Sequence, residues 1–108
     1  MDLGYNQISS IPESIGDLQN IMYFWIFYNQ IWQLPESICN LPLIWDGFDF
    51  GNYPYFASGG NQLCDGDLIP DCVENSSNFE NSLDQYFYSF LQYTPQDCPE
   101  DFSEGDIN

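Results

Sequence analysis

Apolar residues recur early in the chain at a mixed spacing, with Ile21, Phe24, Ile26, Ile31, Leu34, Ile38 and Leu41 set among polar positions and Asn29 three residues after Ile26. The alternation Phe24-x-Ile26 predicts a short strand that points two side chains inward. Pro12 and Pro35 end extended segments, and Ser14 to Leu18 suits a short helical turn. A second pattern covers Phe79 to Tyr93, where Phe79, Leu83, Tyr86, Phe87, Phe90 and Leu91 fall at helical spacing. That spacing predicts a helix, stopped by Pro95.

The first pattern repeats. Tyr5 to Leu18 falls on Tyr28 to Leu41 at an offset of 23, with nine of the fourteen positions identical. A fixed period of roughly 20 to 29 residues marks stacked units that share one core. A third, damaged unit follows: Asn61-Gln62-Leu63 repeats Asn6-Gln7-Ile8, and Ile69-Pro70-Asp71-Cys72-Val73 repeats Ile11-Pro12-Glu13-Ser14-Ile15. Asn61 follows Asn29 by 32 residues, so nine are inserted within Trp45 to Gly60, a segment expected to form a loop. Glu74 to Asn78 reads as a polar linker.

Ile21-x-x-Phe24-x-Ile26-x-x-Asn29-x-Ile31-x-x-Leu34-Pro35-x-x-Ile38-x-x-Leu41 resembles the leucine-rich repeat, and Met1 to Leu18 fits the same pattern. The segment Cys64 to Cys72, with Tyr86 to Phe90 and Gln96-Asp97-Cys98, is similar to the cysteine-bearing C-terminal caps of secreted bacterial leucine-rich repeat proteins. The resemblance covers Met1 to about Asp101. It implies an α/β fold, a short leucine-rich repeat solenoid with parallel strands on the concave face, short helical or 3-10 turns on the convex face, and a disulfide-stapled cap. The organisation expected is repeats over residues 1–73 (units about 1–20, 21–43 and 44–73, with the insert at 45–60), a cap over 74–102 and an acidic tail or further module over 103–108. Gly105-Asp106-Ile107-Asn108 resembles the start of a dockerin-like calcium loop, which would place Asp106 and Asn108 among its ligands. On this resemblance the chain is a fragment cut at both ends.

The same resemblance places the ligand surface on the concave face. There the outward residues are Asp2, Gly4, Tyr5 and Gln7 in one unit and Trp25, Phe27, Tyr28 and Gln30 in the next. Four are aromatic, the residue class enriched in exposed interaction patches and binding hot spots. Stacking on these rings, with Gln and Asp beside them to hydrogen-bond, also suits sugars. The expected ligand residues are therefore Asp2, Tyr5, Gln7, Trp25, Phe27, Tyr28 and Gln30, and the expected partner is a protein or a glycan. The insert aromatics Trp45, Phe48, Phe50, Tyr53, Tyr55 and Phe56 are expected to pack against the repeats. A competing expectation is self-association through the N-terminal repeat edge at Leu3, Ile8, Ile15 and Leu18, which nothing in the sequence covers.

Composition narrows the chemistry. Among 108 residues there are seventeen Asp or Glu and no Lys, Arg or His, a net charge of −17. Nucleic acid is excluded as a partner, because its affinity for proteins comes from cationic side chains on phosphates. Imidazole, amine and guanidinium catalysis are excluded as well. Glu13 and Glu36 are an equivalent pair of carboxylates, but they recur because the repeat does, so no enzyme is expected. No cofactor is expected beyond weakly bound calcium at Asp65-Gly66-Asp67, which lacks the further oxygen ligands of a complete loop. Asn75-Ser76-Ser77 is a glycosylation sequon, meaningful only in a eukaryotic secretory setting.

The aromatic share, 19%, separates this chain from acidic disordered ones. A domain of this size buries limited surface and needs support, which Cys39, Cys64, Cys72 and Cys98 supply if they form two disulfides. Their spacing leaves the connectivity open: Cys64 with Cys72 and Cys39 with Cys98, or Cys39 with Cys72 and Cys64 with Cys98. Paired cysteines point to a secreted or cell-surface setting. No apolar run approaches the roughly 20 residues of a membrane span, so membrane insertion is not expected. Met1 to Gly4 has no leader-like pattern, so in an exported protein these residues are not the original N-terminus.

Overall fold

In the computed structural model, which describes residues 1–49, 51 and 53–98, the sequence repeat sets the backbone register. Strand β1 (Phe24–Trp25) pairs in parallel with β2 (Phe56–Ala57), with Phe24 opposite Phe56 and Trp25 opposite Ala57. On its other side Trp25 stands opposite Asp2 in a single parallel bridge. The sequence offsets of 23 and 32 thus reappear as neighbouring backbone. The Leu3 N–H donates to the Trp25 carbonyl (2.8 Å), and the Ile26 N–H donates to the Ala57 carbonyl (2.9 Å).

Asparagine side chains join the segments. Asn29 Oδ1 accepts the Ile8 N–H (3.0 Å) while its Nδ2 donates to the carbonyls of Leu3, Ile26 and Phe27. Asn61 does the same one segment on, accepting from the Ile31 N–H (3.1 Å) and donating to the carbonyls of Ile26 and Ser58. Buried backbone groups need partners wherever the chain leaves a ladder, and these amides supply them. Phe24, Ile26, Ile31, Leu34, Ile38, Leu41, Phe56, Leu63 and Val73 fill the core between the segments.

These contacts do not add up to the α/β leucine-rich repeat solenoid expected from the sequence, and that fold class is corrected. Among the described residues there are two separate two-stranded sheets, one of them antiparallel, and no strand longer than three residues. The outer turns are 3-10 over Glu13–Asp17, Glu36–Asn40 and Gly66–Leu68, and the helix α1 (Asp71–Glu74) is one turn long. Most of the chain is irregular. The reason is local: the residue before each repeated asparagine is left-handed, at φ 58° for Tyr5, 54° for Tyr28 and 73° for Gly60. This ends the extended run after two or three residues. Pro54, just before β2, has no N–H to offer a ladder.

The helix expected over residues 79–93 is also absent. Strand β3 (Asn81–Leu83) runs antiparallel to β4 (Leu91–Tyr93). The loop between them is organised by Asp84, whose carboxylate accepts the backbone N–H groups of Phe87, Ser89 and Phe90. A side chain that captures these donors competes with helix formation. The hairpin is also tied to the end of the parallel sheet, since the Gly59 N–H donates to the Asn81 carbonyl (2.8 Å) and the Gly60 N–H to the Thr94 carbonyl (3.0 Å). A Cβ on Gly59 would lie 2.7 Å from the Glu80 and Thr94 carbonyl oxygens, so glycine is what allows this approach.

Two disulfides close the structure, Cys39–Cys72 and Cys64–Cys98, with Cα separations of 5.7 and 5.8 Å. The first links the second 3-10 turn to α1. The second holds the irregular segment leaving the hairpin against the third segment. Such bonds are consistent with an extracellular protein, and no helix among the described residues is long and apolar enough to cross a membrane.

Candidate functional site

The expected ligand residues divide into three groups in the structure. Phe27 is fully buried, with Ala57 and Leu83, in a small second core. It therefore presents no surface to a ligand, and its place among the binding residues is corrected. It sinks because Gly4 leaves room for its ring, which would lie 2.4 Å from any Cβ there. Tyr5, Trp25 and Tyr28 are half-buried around it, while Asp2, Gln7 and Gln30 are exposed.

The half-buried rings are committed to one another and to the rest of the chain. Tyr5 and Tyr28 stack with centroids 4.6 Å apart. The Tyr5 hydroxyl donates to the Leu83 carbonyl (2.7 Å), and the Trp25 indole N–H donates to the Pro54 carbonyl (2.8 Å). Tyr88, from the hairpin loop, lies 5.8 Å from the Trp25 ring and 5.6 Å from that of Phe27. The hairpin thus covers much of the aromatic face that the repeat alone would leave open. Burial and the neighbouring Tyr28, Tyr88 and Asp84 push the Tyr5 phenol up to about 12. Burial, together with the negative charge of Asp2, also raises Tyr88.

The insert behaves largely as expected for a segment packed on the repeats. Trp45 meets Phe56 edge to face at 4.8 Å, and Tyr53 lies 6.0 Å from Trp25. Asp49 fixes its turn: Oδ1 accepts the N–H groups of Gly51 and Tyr53, and Oδ2 accepts the Tyr23 hydroxyl (2.6 Å). The Tyr23 bond and these N–H groups outweigh desolvation and hold Asp49 below the usual carboxylate range. The same bond, with burial next, pushes Tyr23 up to about 12. Phe50 lies outside the described residues.

Between insert and hairpin runs an open groove of about 500 Å³, lined by Phe48, Gly51 and Tyr53 on one side and Leu83, Ser89, Phe90 and Leu91 on the other. At its hairpin wall Phe90 is 68% exposed, and elsewhere on the same hairpin Tyr86 is 82% exposed, Phe87 79% and Tyr93 73%. The helical spacing of Phe79 to Leu91 groups Phe87 and Phe90 with Leu83, which is buried, whereas both rings are exposed. Their exposure is not legible from that spacing, because the same apolar letters occur in cores and on surfaces.

The carboxylates around this wall are held in place. Asp84 is desolvated, but the N–H groups of Phe90, Phe87 and Ser89 more than offset this and lower it. Glu80 accepts the Tyr93 hydroxyl (2.9 Å) and the Gln96 N–H (3.0 Å), and the Tyr93 phenol is raised by that bond. Asp65, considered for calcium, caps the third 3-10 turn by accepting the Asp67 N–H (3.0 Å). Asp106 and Asn108 lie outside the described residues. No cluster of three or more metal-ligating side chains occurs among the described residues. Glu13 and Glu36 both sit exposed in the first turns of their 3-10 segments, away from any groove described above. No family model, curated protein or solved structure matches the chain.

Proposed function

We propose that the chain is a non-catalytic recognition module of a secreted or cell-surface protein, and that it captures a protein or glycan on its aromatic surface. The observation that carries this reading is the groove between Phe48, Tyr53 and Phe90, on a hairpin whose rings of Tyr86, Phe87 and Tyr93 also stand exposed. Large side chains left in water at one place cost solubility and mark interaction surfaces. The groove is walled by a disulfide-anchored hairpin and a carboxylate-fixed turn, so little ordering is required on binding.

Trp25 and Tyr28, expected from the sequence to touch the ligand, act in this reading as the support on which Tyr53 and the hairpin rest. Gln7 and Gln30 stay exposed on the adjoining surface. The test is an immobilised-protein screen against neutral oligosaccharides and extracellular proteins, repeated with Phe48→Ala and Phe90→Ala. Any specific ligand should be lost or weakened about tenfold by either substitution, with the melting temperature unchanged. A ligand that is retained by both variants and lost with Gln7→Ala or Gln30→Ala would move the site off the groove.

A further inference from the structure

We infer that the partner of this surface is a polypeptide presenting arginine side chains; the inference rests on the binding role proposed for the groove and names its ligand class. The exposed faces of Phe87, Phe90, Tyr86 and Tyr93 carry the negative quadrupole that attracts a guanidinium lying over a ring. Beside those rings two carboxylates are fixed by hydrogen bonds, Asp84 under the Phe87 and Phe90 N–H groups and Glu80 against the Tyr93 hydroxyl, and Asp49 is fixed likewise within the insert.

None of these charges is answered from within the chain, which has seventeen acidic side chains and no Lys, Arg or His. A planar cation with five N–H donors suits this arrangement, because it stacks on a ring and reaches a carboxylate with its edge. Charge also speeds the encounter, since an anionic surface steers cationic partners toward it.

Other occupants fit less well. A sugar is neutral, so it would leave the excess of negative charge on this surface unanswered. A second copy would bring another −17 against the first. Anionic lipid is repelled for the same reason.

The experiment titrates the intact protein, at about 0.15 M NaCl, with three probes: a labelled nonapeptide of alternating Arg and Gly, its Lys counterpart, and cellohexaose. The Arg peptide should bind more tightly than the Lys peptide, because two exposed cation–π contacts favour the flat guanidinium. The double variant Phe87→Leu/Phe90→Leu, which keeps every charge, should weaken the Arg peptide about tenfold and leave the melting temperature within a degree. Equal binding of the Arg peptide by both proteins would show diffuse attraction and overturn the inference. Cellohexaose bound by the native protein and lost in the variant, with no such effect on the Arg peptide, would overturn the arginine assignment and leave the recognition role standing. If no probe responds to the variant, both fall.

Discussion

Two aromatic regions lie side by side in this molecule and differ in almost every physical respect. In the inner one, Phe27 is buried, Tyr5 stacks on Tyr28, and the polar heads of Tyr5 and Trp25 donate to backbone carbonyls. In the outer one, Tyr86, Phe87 and Phe90 stand in water on a loop organised by a carboxylate. The inner rings are backed on two sides, by the parallel segments and by Tyr88. The outer rings have only their own hairpin behind them. Aromatic density alone therefore says nothing about role; the number of neighbouring segments that cover a ring decides it.

The sharpest way to break this distinction is a pair of truncations. Phe27→Ala should cost about 3 to 5 kcal/mol, the usual loss for a buried phenylalanine, whereas Phe87→Ala should stay within about 0.5 kcal/mol. Equal losses in thermal or denaturant unfolding would mean that the loop packs more closely than described.

A second pair compares repeated asparagines. Asn61 is buried with three backbone partners, while Asn6 is exposed and donates to the carbonyls of Leu3 and Gly4. Asn61→Ala strands a buried N–H and should cost about 2 to 3 kcal/mol, against under about 1 kcal/mol for Asn6→Ala. Similar values would show that the junctions are not held by these amides.

The phenols give the next effect. Tyr5 and Tyr23, each pushed up to about 12, ionise later in the folded protein than in the unfolded chain, where the phenol titrates near 10. Their contribution is fully present below about pH 10 and is lost as pH rises through about 12, because the unfolded state then binds fewer protons. Stability should fall across that window, and Tyr5→Phe or Tyr23→Phe should flatten the fall. An unchanged profile in both variants would remove these two groups as its cause.

The smallest effect is ionic. With seventeen acids uncompensated, the melting temperature should rise on adding NaCl or calcium, since salt screens surface repulsion. A flat response would show that repulsion does not limit stability.

Part of this was legible from the residues alone. The equivalence of Asn6, Asn29 and Asn61 foretold which backbone segments adjoin, because a repeat that buries one apolar face must lay it on the next copy. The four cysteines were correctly paired in number. The α/β solenoid was read too far, since the left-handed Tyr5, Tyr28 and Gly60 end the strands before a continuous sheet forms.

The candidate site was legible only in its composition. The sequence determined register, the inward apolar set and the excess of negative charge, all of which depend on residue type and spacing along the chain. Tertiary structure alone decided the rest: that Phe79 to Tyr93 pairs as a hairpin, that Cys39 meets Cys72 and Cys64 meets Cys98, and that Phe27 sinks while Phe87 and Phe90 emerge. Those outcomes hinge on partners distant in sequence, such as the Gly59 N–H waiting for Asn81 and the space over Gly4 that admits the Phe27 ring. Periodicity reports a side chain's neighbours along its own segment, and burial is set by what the rest of the chain lays across it.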